Sequence, residues 1–361
     1  NTLAQSTQVA GEHGKLGYSG VYSAMKTHRY LDSVSLSNLH NGGHAQRAFS
    51  RLDYMANARN VFRLVTMAGT SPFELANLRS QHAAGMQQRQ LMRDAGVSAS
   101  WLRGLGVSSL LDTNVSWRSA SSQLFGSAAD SPVTADQARR LGTFSALAKY
   151  SRVSGRHNIR AGVDYQRYGI RENFTFGLTN PLFNDPRDPA YNPALRPFDL
   201  SAGGQRFVFG ERASGRLGSG YLQDQVRLGR IFVSAGLRLD DYRILTRGRQ
   251  WQPRIGIAYT MPRTNTVLRA SYNRLYQTPV NENLLLSSSR AAAALAPPVV
   301  REALGNQIAV LRPERQNFYE VGVQQGFWHL LLQGRLRSSR QQQLLQLGHH
   351  FPDFAGADPG Q

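Results

Sequence analysis

The feature that most restricts the fold of this chain is an alternation of polar and apolar residues that returns along most of its length. It is clear in LLDTNVSWR (110–118), NIRAGVDYQ (158–166), PRIGIAYT (253–260) and LRASYNR (268–274). A period of two residues is that of a β-strand whose two faces meet different surroundings. We count about thirteen such segments of roughly ten residues, which is the length of a tilted strand that crosses a bilayer.

The connections between these segments alternate between short and long. Tight turns are predicted at 55–60, 102–106, 153–157, 228–230, 261–265 and near Phe327-Trp328. Long stretches rich in Gly, Pro, Ser and Asn are predicted at roughly 68–95, 119–142, 170–218 and 276–315, with a shorter one at 243–250. Several long loops are unusual in a compact domain, whereas outer-membrane barrels combine short periplasmic turns with long extracellular loops. Within the last long stretch, residues 289–306 are predicted to hold a short helix.

The two faces of the predicted strands differ in a way that favours a membrane barrel over a soluble sheet. One face carries small and polar residues, several of them charged, and the other is apolar and ends in aromatic residues: Trp117, Tyr165, Tyr259 and Tyr272. This arrangement suits a wet lumen, a lipid-facing outside and aromatic girdles at the interfaces. We therefore predict an all-β, antiparallel transmembrane barrel. A soluble β-sandwich or barrel that binds, for instance, glycans remains the alternative.

Composition excludes several other classes of protein. The chain has 361 residues, and its 41% hydrophobic content is spread so that no run approaches the ~20 apolar residues of a membrane helix. The residues after Asn1 do not have the charged start and apolar run of a signal peptide. Cysteine is absent, which removes disulfides, thiolate catalysis and cysteine-bound zinc.

A formal charge of +19 raises the question of a nucleic-acid partner. The chain has 42 Lys and Arg, of which only Lys15, Lys26 and Lys149 are lysines. A nucleic-acid surface needs basic residues clustered on one face or in a run. Here the arginines are scattered singly through the alternating segments, and the longest run is Arg139-Arg140. We therefore predict no nucleic-acid partner.

Specific strings in the chain resemble the barrel of TonB-dependent receptors. SGYLQDQVRLGRIFVSAGLRLDDY (219–242) is similar to a strand pair of that family, and QPRIGIAYTMPRTNTVLRASYNRLYQTPVNENLL (252–285) resembles the next hairpin and its loop. Further similar pieces are ENFTFGLTNPLFN (172–184), LRPERQNFYEVGVQQGF (311–327) and SPFELANLRSQHAAGMQQRQ (71–90). The resemblance covers roughly residues 45 to 327 and points to the large receptors that begin with a carboxypeptidase-regulatory-like domain.

The resemblance implies a transport protein of the outer membrane of a Gram-negative-type bacterium. Such a receptor has outer-membrane lipid, the TonB system and an externally bound ligand as partners, and the ligand (an iron chelate, a glycan or a peptide) stays open. We find no sequence resembling a plug, a TonB contact motif or the regulatory domain. Since the largest such barrels have 22 strands, we interpret the chain as an incomplete barrel fragment that is not energy-coupled without its plug. We expect it alone to form a curved, open sheet or a strained smaller barrel.

The resemblance ends after Phe327, and we divide the chain into a partial barrel, 1–336, and an aberrant or disordered tail, 337–361. The family continues at this point with an aromatic-rich strand and a segment like Ile-Thr-Phe-Pro-Ile. For permitted codons, a reading frame shifted by one base converts QQQLLQLGHHFPDF into an Asn- and Tyr-rich segment followed by ITFPI. We interpret residues from about Trp328 or Arg335 as out of frame. A divergent polar loop is the alternative.

No candidate catalytic, cofactor or metal site emerges from the residues, and the ligand-binding residues stay unknown. Asn173, Asn184, Asn281, Glu282 and Asn283 lie in loop strings that match the family, and we interpret them as caps or turn residues rather than ligand contacts.

Histidines and carboxylates have similarly plain interpretations. His40 and His44 in HNGGH are separated by two glycines, which favours a solvated loop over a zinc pair. GYSG (17–20) lacks the spacing of a nucleophile elbow. Asp112, Asp164 and Glu320 are predicted to form ion pairs on the lumen wall rather than acid–base pairs. We therefore predict that the chain is not an enzyme.

Overall fold

The computed structural model describes residues 1–278, 284–287, 289–293, 295, 313–327 and 330–342. Within them the chain forms fourteen β-strands. The strands are β1 (Thr2–His13), β2 (Leu16–Thr27), β3 (Gly43–Asn57), β4 (Asn60–Glu74), β5 (Arg89–Gly104), β6 (Ser109–Phe125), β7 (Val133–Ser154), β8 (His157–Leu178), β9 (Phe207–Leu228), β10 (Ile231–Arg243), β11 (Arg247–Met261), β12 (Thr266–Gln277), β13 (Glu314–Phe327) and β14 (Leu330–Gln342).

The strands form one antiparallel sheet in which each strand pairs with its neighbours in sequence. The order runs from β1 to β14 without a crossover, and of the described residues β1 pairs only with β2 and β14 only with β13. The predicted open antiparallel sheet is therefore confirmed, with one strand more than the expected count of about thirteen. Strand β14 includes residues 337–342 of the predicted tail. Residues 343–361 lie outside the described part of the chain, and the tail stays a prediction.

Short turns join the strands at one end of the sheet, as predicted. The two-residue loops after His13, Ser154 and Leu228 begin with Gly14, Gly155 and Gly229, whose φ angles are 57°, 58° and 61°. A positive φ at this position gives the turn a backbone twist that matches the right-handed twist of the two flanking strands, and glycine adopts it without strain. Each glycine is followed by Lys or Arg, so this end of the sheet is polar.

The connections at the other end are shorter than predicted because the strands extend into them. The predicted loop 119–142 shrinks to 126–132, 170–218 shrinks to 179–206, and 243–250 shrinks to 244–246. Strands β7 and β8 are each 22 residues long. The alternation of apolar residues fades where a strand leaves an apolar environment, but backbone pairing continues. The first hairpin, β1–β2, also lies outside the region that the resemblance covers.

Helical structure is confined to the long connections. Helix α1 (Arg79–Ala83) lies between β4 and β5, and α2 (Leu284–Ser287) and α3 (Arg290–Ala293) lie between β12 and β13. Short 3-10 helices span Pro181–Asn184, Pro193–Phe198 and Leu200–Ala202. Helix α3 falls within the predicted helical stretch 289–306, most of which is outside the described residues. No helix among the described residues is long and apolar enough to cross a membrane.

The sheet has an outward face, which contains Val115, Trp117, Val163 and Tyr165, and an inward face, which contains their sequence neighbours. Along residues 163–173 of β8 the odd positions are exposed and the even ones are partly or fully buried. The buried hydrophobic cluster lies on the inward face, at the end with the long connections. It consists of Ile170, Phe207, Phe209 and Leu285, with Phe174, Phe176 and Phe198 packed around it. The apolar strand face predicted from the sequence is therefore not the packed core.

Candidate functional site

The inward face is a polar wall in which carboxylates are paired with arginines on the same face. On β3, Arg51 Nε donates to Asp53 at 2.6 Å, and Arg63 of β4 donates to the other oxygen of Asp53 at 2.6 Å. An Arg-x-Asp spacing places both side chains on one face of a strand, since the strand period is two. These contacts hold the long side chains against the wall of the prospective lumen.

The same spacing recurs on β10, where the carboxylate is buried. Arg238 Nε donates to Asp240 at 2.8 Å, and Gln252 of β11 donates to the second oxygen of Asp240 at 2.5 Å. Asp240 and Gln252 are both buried. A buried carboxylate is stable only when its oxygens are hydrogen-bonded and its charge is paired. Both conditions are met here, so the wall is rigid at this point.

Neutral polar residues continue the wall between the ion pairs. Asn114 of β6 donates to the hydroxyls of Ser98 and Ser100 at 2.6 and 2.8 Å. On β8, Gln166 donates to Asp164 at 3.1 Å and accepts a hydrogen bond from the Tyr168 hydroxyl. Such a surface of hydroxyls, amides and paired charges is compatible with water on the inward side.

At the long-loop end two connections fold together over the inward face. The Glu172 carboxylate of β8 is buried and accepts hydrogen bonds from the backbone N–H groups of Leu285 (3.4 Å) and Leu286 (2.9 Å) in α2. Asn192, in the β8–β9 connection, donates to the Leu295 carbonyl at 3.3 Å. The β8–β9 and β12–β13 connections are therefore fixed to the strand wall and to each other.

Aromatic side chains fill the space beneath these connections. Phe207 lies 5.3 Å from both Phe176 and Phe198 between ring centroids, edge-on to Phe198, and 6.5 Å from Phe174. Tilted and edge-on arrangements are those that aromatic pairs prefer. The cluster anchors the β8–β9 connection, so that the mouth of the inward face is a packed structure of aromatic and polar groups.

The β8–β9 connection also stabilises itself by local caps. Asn180, Asn192 and Asp199 each accept a hydrogen bond from a backbone N–H at the start of a 3-10 helix. Arg187 donates from Nη2 to Asp185 at 2.7 Å, and these hydrogen bonds lower the pKa of Asp185 to about 2. The ion pair is therefore intact at any pH above that range.

The loop asparagines predicted from the family strings separate into three groups. Asn184 both donates to the Asn192 carbonyl and accepts from the Asn192 N–H at 2.9 Å, which is the bonding of a loop-forming residue. Asn173 is exposed on the outward face of β8 and does not face the lumen. Asn281, Glu282 and Asn283 lie outside the described residues. For these three, the interpretation as caps or turn residues rather than ligand contacts stays a prediction.

His40 and His44 do not form a metal centre with other described residues. His40 has a positive φ of 47°, and its Nδ1 lies 3.0 Å from the Leu75 carbonyl. Its Nε2 lies 3.9 Å from Glu74. No group of three or more potential metal ligands occurs in the described part of the chain. His40 is thus part of loop packing rather than fully solvated, and His44 is exposed on β3.

The predicted ion pairs of the lumen wall exist, but mostly through other carboxylates. Asp164 contacts Gln166, and Asp112 lies opposite Lys149 in the β6–β7 register. Glu320 lies opposite Arg337 in the β13–β14 register. Further charged pairs on this face are made by Asp53 and Asp240. Sequence reasoning could have found both from the Arg-x-Asp spacing. Glu172, by contrast, gives no local signal, because its partners come from a connection far along the chain.

The outward face carries a continuous apolar band. Its aliphatic side chains are about half exposed: Leu64, Val97, Val115, Val163, Leu222, Leu237, Ile255, Ile257, Leu268, Val321 and Val323. Aromatic residues border the band at both ends. Phe62 stacks on Trp101 at 6.1 Å near the short turns, while Trp117, Phe144, Tyr165 and Trp251 lie toward the long connections. Between these borders the outward positions are mostly apolar. Asp224 of β9, opposite Ile159 and Ala235, is a charged exception, and its carboxylate lies 2.6 Å from His157 Nδ1.

Comparisons with known proteins agree with this geometry. Residues 29–339 match the family model described as TonB dependent receptor-like, beta-barrel. Similar solved structures include the FrpB iron transporter from Neisseria meningitidis (13% identity, TM-score 0.66, 94% of this chain and 53% of that chain). Others are the copper transporter OprC (10%, 0.63, 92% and 51%) and the outer membrane transporter YddB from Escherichia coli (12%, 0.58, 91% and 45%). The chain spans about half the length of these structures. No curated protein sequence matches.

Proposed function

The chain belongs to the TonB-dependent receptor β-barrel family, and from this membership we propose that it takes part in ligand uptake across the outer membrane. The observation that carries the proposal is the contrast between the two faces of the sheet. A predominantly apolar outward band bordered by aromatic residues suits lipid, and an inward wall of ion pairs and hydroxyls suits a water-filled lumen.

The proposed ligand path follows the inward face from the mouth downward. The mouth combines the cluster of Phe174, Phe176, Phe198 and Phe207 with the two connections that fold together over it. The wall below offers the amide of Asn114 and the guanidinium of Arg238. Iron chelates, glycans and peptides are the ligand classes we propose. One of the similar solved structures, FrpB, is an iron transporter, which supports the first class.

Energy coupling is a further part of the proposal. We infer that uptake depends on TonB acting through a plug domain, and that the receptor is of the large type that begins with a carboxypeptidase-regulatory-like domain. The resemblance of SPFELANLRSQHAAGMQQRQ (71–90) to an outer loop of that group supports the second inference. In the structure this segment spans the end of β4, helix α1 and the start of β5.

The soluble binding module is not favoured, because a soluble sheet would bury its apolar face. Val163 and Ile255 are 60% and 54% exposed, and they belong to the apolar face. A nucleic-acid partner is not supported either, since the family is one of transport receptors. The family and the solved neighbours are also not enzymes, which supports the proposal that the chain catalyses no reaction.

Two measurements test the proposed function. We expect the expressed chain to enter the membrane or inclusion-body fraction and to require detergent for dispersion; a monodisperse monomer with a cooperative melt in plain buffer would contradict the membrane placement. In cells that carry the locus, uptake of a panel of iron chelates, glycans and peptides is compared between the intact strain, a strain without this reading frame and a strain without TonB. Loss of the same ligand in both altered strains supports the proposal, and unchanged uptake of the whole panel contradicts it.

A further inference from the structure

The pairing register brings together a row of arginines on the outward face that the sequence scatters. Arg140 of β7 lies directly opposite Arg171 of β8, which lies directly opposite Arg212 of β9. On the other side Arg140 pairs with Ser121, and Ser121 pairs with Arg93 of β5. Four of five consecutive strands thus contribute an arginine to one row. We call Arg93, Arg140, Arg171 and Arg212 the arginine row.

A second group of arginines lies on the outward face of strands β8 to β11. Arg167 pairs with Arg216, which pairs with Arg243, which pairs with Arg247. These residues lie four positions nearer the short turns than Arg171 and Arg212, so the positive band continues diagonally across the sheet. The aromatic border shifts toward the short turns in the same way, because Tyr165 on β8 lies nearer the short turns than Phe144 on β7.

The arginine row is not neutralised by its own sheet. Like charges directly opposite one another in a strand pair are destabilising unless something compensates them. All four side chains are exposed, and of the outward residues described on β5–β9 in this row none is a carboxylate. Asp136, nearer the long connections on the same face, is engaged by Arg206 at 2.5 Å. In the second group of arginines, Asp241 forms ion pairs with Arg243 and Arg249.

The row borders a cavity of about 520 Å³ that offers further hydrogen-bond donors. Its lining includes four arginines, three of them from the row, against one carboxylate, Asp94. Five neutral polar residues also line it: Thr70, Ser119, Ser121, Gln123 and Asn173. Arg140 Nε donates to Ser119 at 3.1 Å, which positions its guanidinium over the cavity. Guanidinium groups bind phosphate with two parallel hydrogen bonds, and hydroxyl and amide groups complete such sites.

The position of the row identifies the source of the anion. Arg140 lies four residues beyond Phe144 on the outward side of β7, about 13 Å along the strand toward the long connections. Aromatic girdles mark the level of the lipid headgroups, and clustered arginines just outside the hydrocarbon bind anionic headgroups. The row therefore faces the headgroup layer of the outer leaflet rather than the lumen.

We propose that the arginine row and its cavity bind the phosphate groups of an anionic glycolipid in the outer leaflet. This inference rests on the membrane placement in the proposed function, but it concerns a lipid on the outward face, not the transported ligand. Bound phosphates would supply the counter-charge that the row lacks, and so would fix the β5–β9 part of the sheet in the leaflet.

Vesicle binding of the full chain tests the inference. The probes are phosphatidylcholine vesicles with and without diphosphoryl lipid A, and vesicles with the dephosphorylated glycolipid. We expect the triple substitution R93Q/R140Q/R171Q to weaken binding to the diphosphoryl vesicles by about 100-fold, since each basic residue near a charged surface contributes a factor of about five. The matched control R118Q/R160Q/R254Q removes the same charge from the inward face and should bind as the parent does.

Two further measurements test whether charge alone or free phosphate accounts for the binding. The triple Arg-to-Lys variant, which retains the charge, should keep most of the affinity, and inorganic phosphate at a concentration matching that of the lipid phosphate should compete little. A triple Gln variant with the parental affinity, or a parent that binds dephosphorylated vesicles equally well, overturns the inference and leaves the membrane placement intact. A parent that binds no vesicle overturns both.

Discussion

Placing an arginine in the middle of the outward band is expected to abolish most membrane assembly of the chain. Val115 of β6 is 48% exposed between Ala99 and Ala146 on the neighbouring strands. Val115→Arg would put a charge against lipid hydrocarbon, at an expected cost of about 2–4 kcal/mol. The measurement is the urea dependence of the lipid-bound fraction in phosphatidylcholine vesicles, followed by tryptophan fluorescence.

The matched control is the next residue, which faces the other way. Ser116 lies between Ser98 and Ser145, so Ser116→Arg meets small hydroxyl side chains and water rather than lipid. We expect Ser116→Arg to change the urea midpoint of the lipid-bound fraction little, because lumen positions tolerate charge. If both variants lowered the urea midpoint equally, the two faces would not differ in their contact with lipid, and the assignment of the outward band would be wrong.

Removing the Glu172 carboxylate is expected to release the connections that cover the mouth. In the parent this buried group accepts two backbone hydrogen bonds from α2, at 3.4 and 2.9 Å. Hydrogen bonds to a charged group contribute about 1.5–3 kcal/mol each, so Glu172→Ala should weaken docking of α2 by on the order of 3 kcal/mol. Amide hydrogen exchange of residues 284–295 should then accelerate by about two orders of magnitude, while the strands below stay protected.

Glu211 supplies the control for this effect. It lies directly opposite Glu172 in the β8–β9 register but is exposed. Glu211→Ala removes the same charge from the same face without removing a partner of α2, and exchange of residues 284–295 should stay as in the parent. If Glu172→Ala leaves the exchange rates unchanged as well, the carboxylate does not hold the connection.

Local patterns were sufficient to predict the strand faces and the turns. Val115 and Trp117 fall on the outward face and Asn114 and Ser116 on the inward one, as the alternation indicates, because a strand has a fixed period of two. The turns at Gly155 and Gly229 were also visible, since a positive φ at a tight hairpin requires a residue such as glycine.

Strand length and the mouth could not be read from the same patterns. Residues 134–140 of β7 and 170–177 of β8 lie toward the long connections, where water can satisfy either face and the alternation weakens, yet the two strands remain hydrogen-bonded. The contacts of Glu172 with α2 depend on a connection that returns from far along the chain. Such contacts follow from the tertiary fold and leave no spacing to recognise.

The arginine row could not be predicted from local patterns either, because it depends on how the strands pair. Arg140, Arg171 and Arg212 lie far apart in sequence, and one by one they appear scattered. Only the register of β7, β8 and β9 places them opposite one another. The sequence prediction that the arginines form no cluster was therefore wrong for this part of the outward face, although the prediction of no nucleic-acid partner does not depend on it.

The central claim is that one face of the sheet meets lipid and the other meets water, and β8 allows it to be measured directly. The chain contains no cysteine, so single cysteines on β8 can carry nitroxide labels without background. In vesicles, labels at Ala161, Val163 and Tyr165 should collide with oxygen dissolved in the lipid, and labels at Asp164 and Gln166 with a water-soluble nickel chelate. Accessibility that alternates with a period of two is the predicted result. Labels that are all accessible to the chelate, or that show no alternation, would contradict the account.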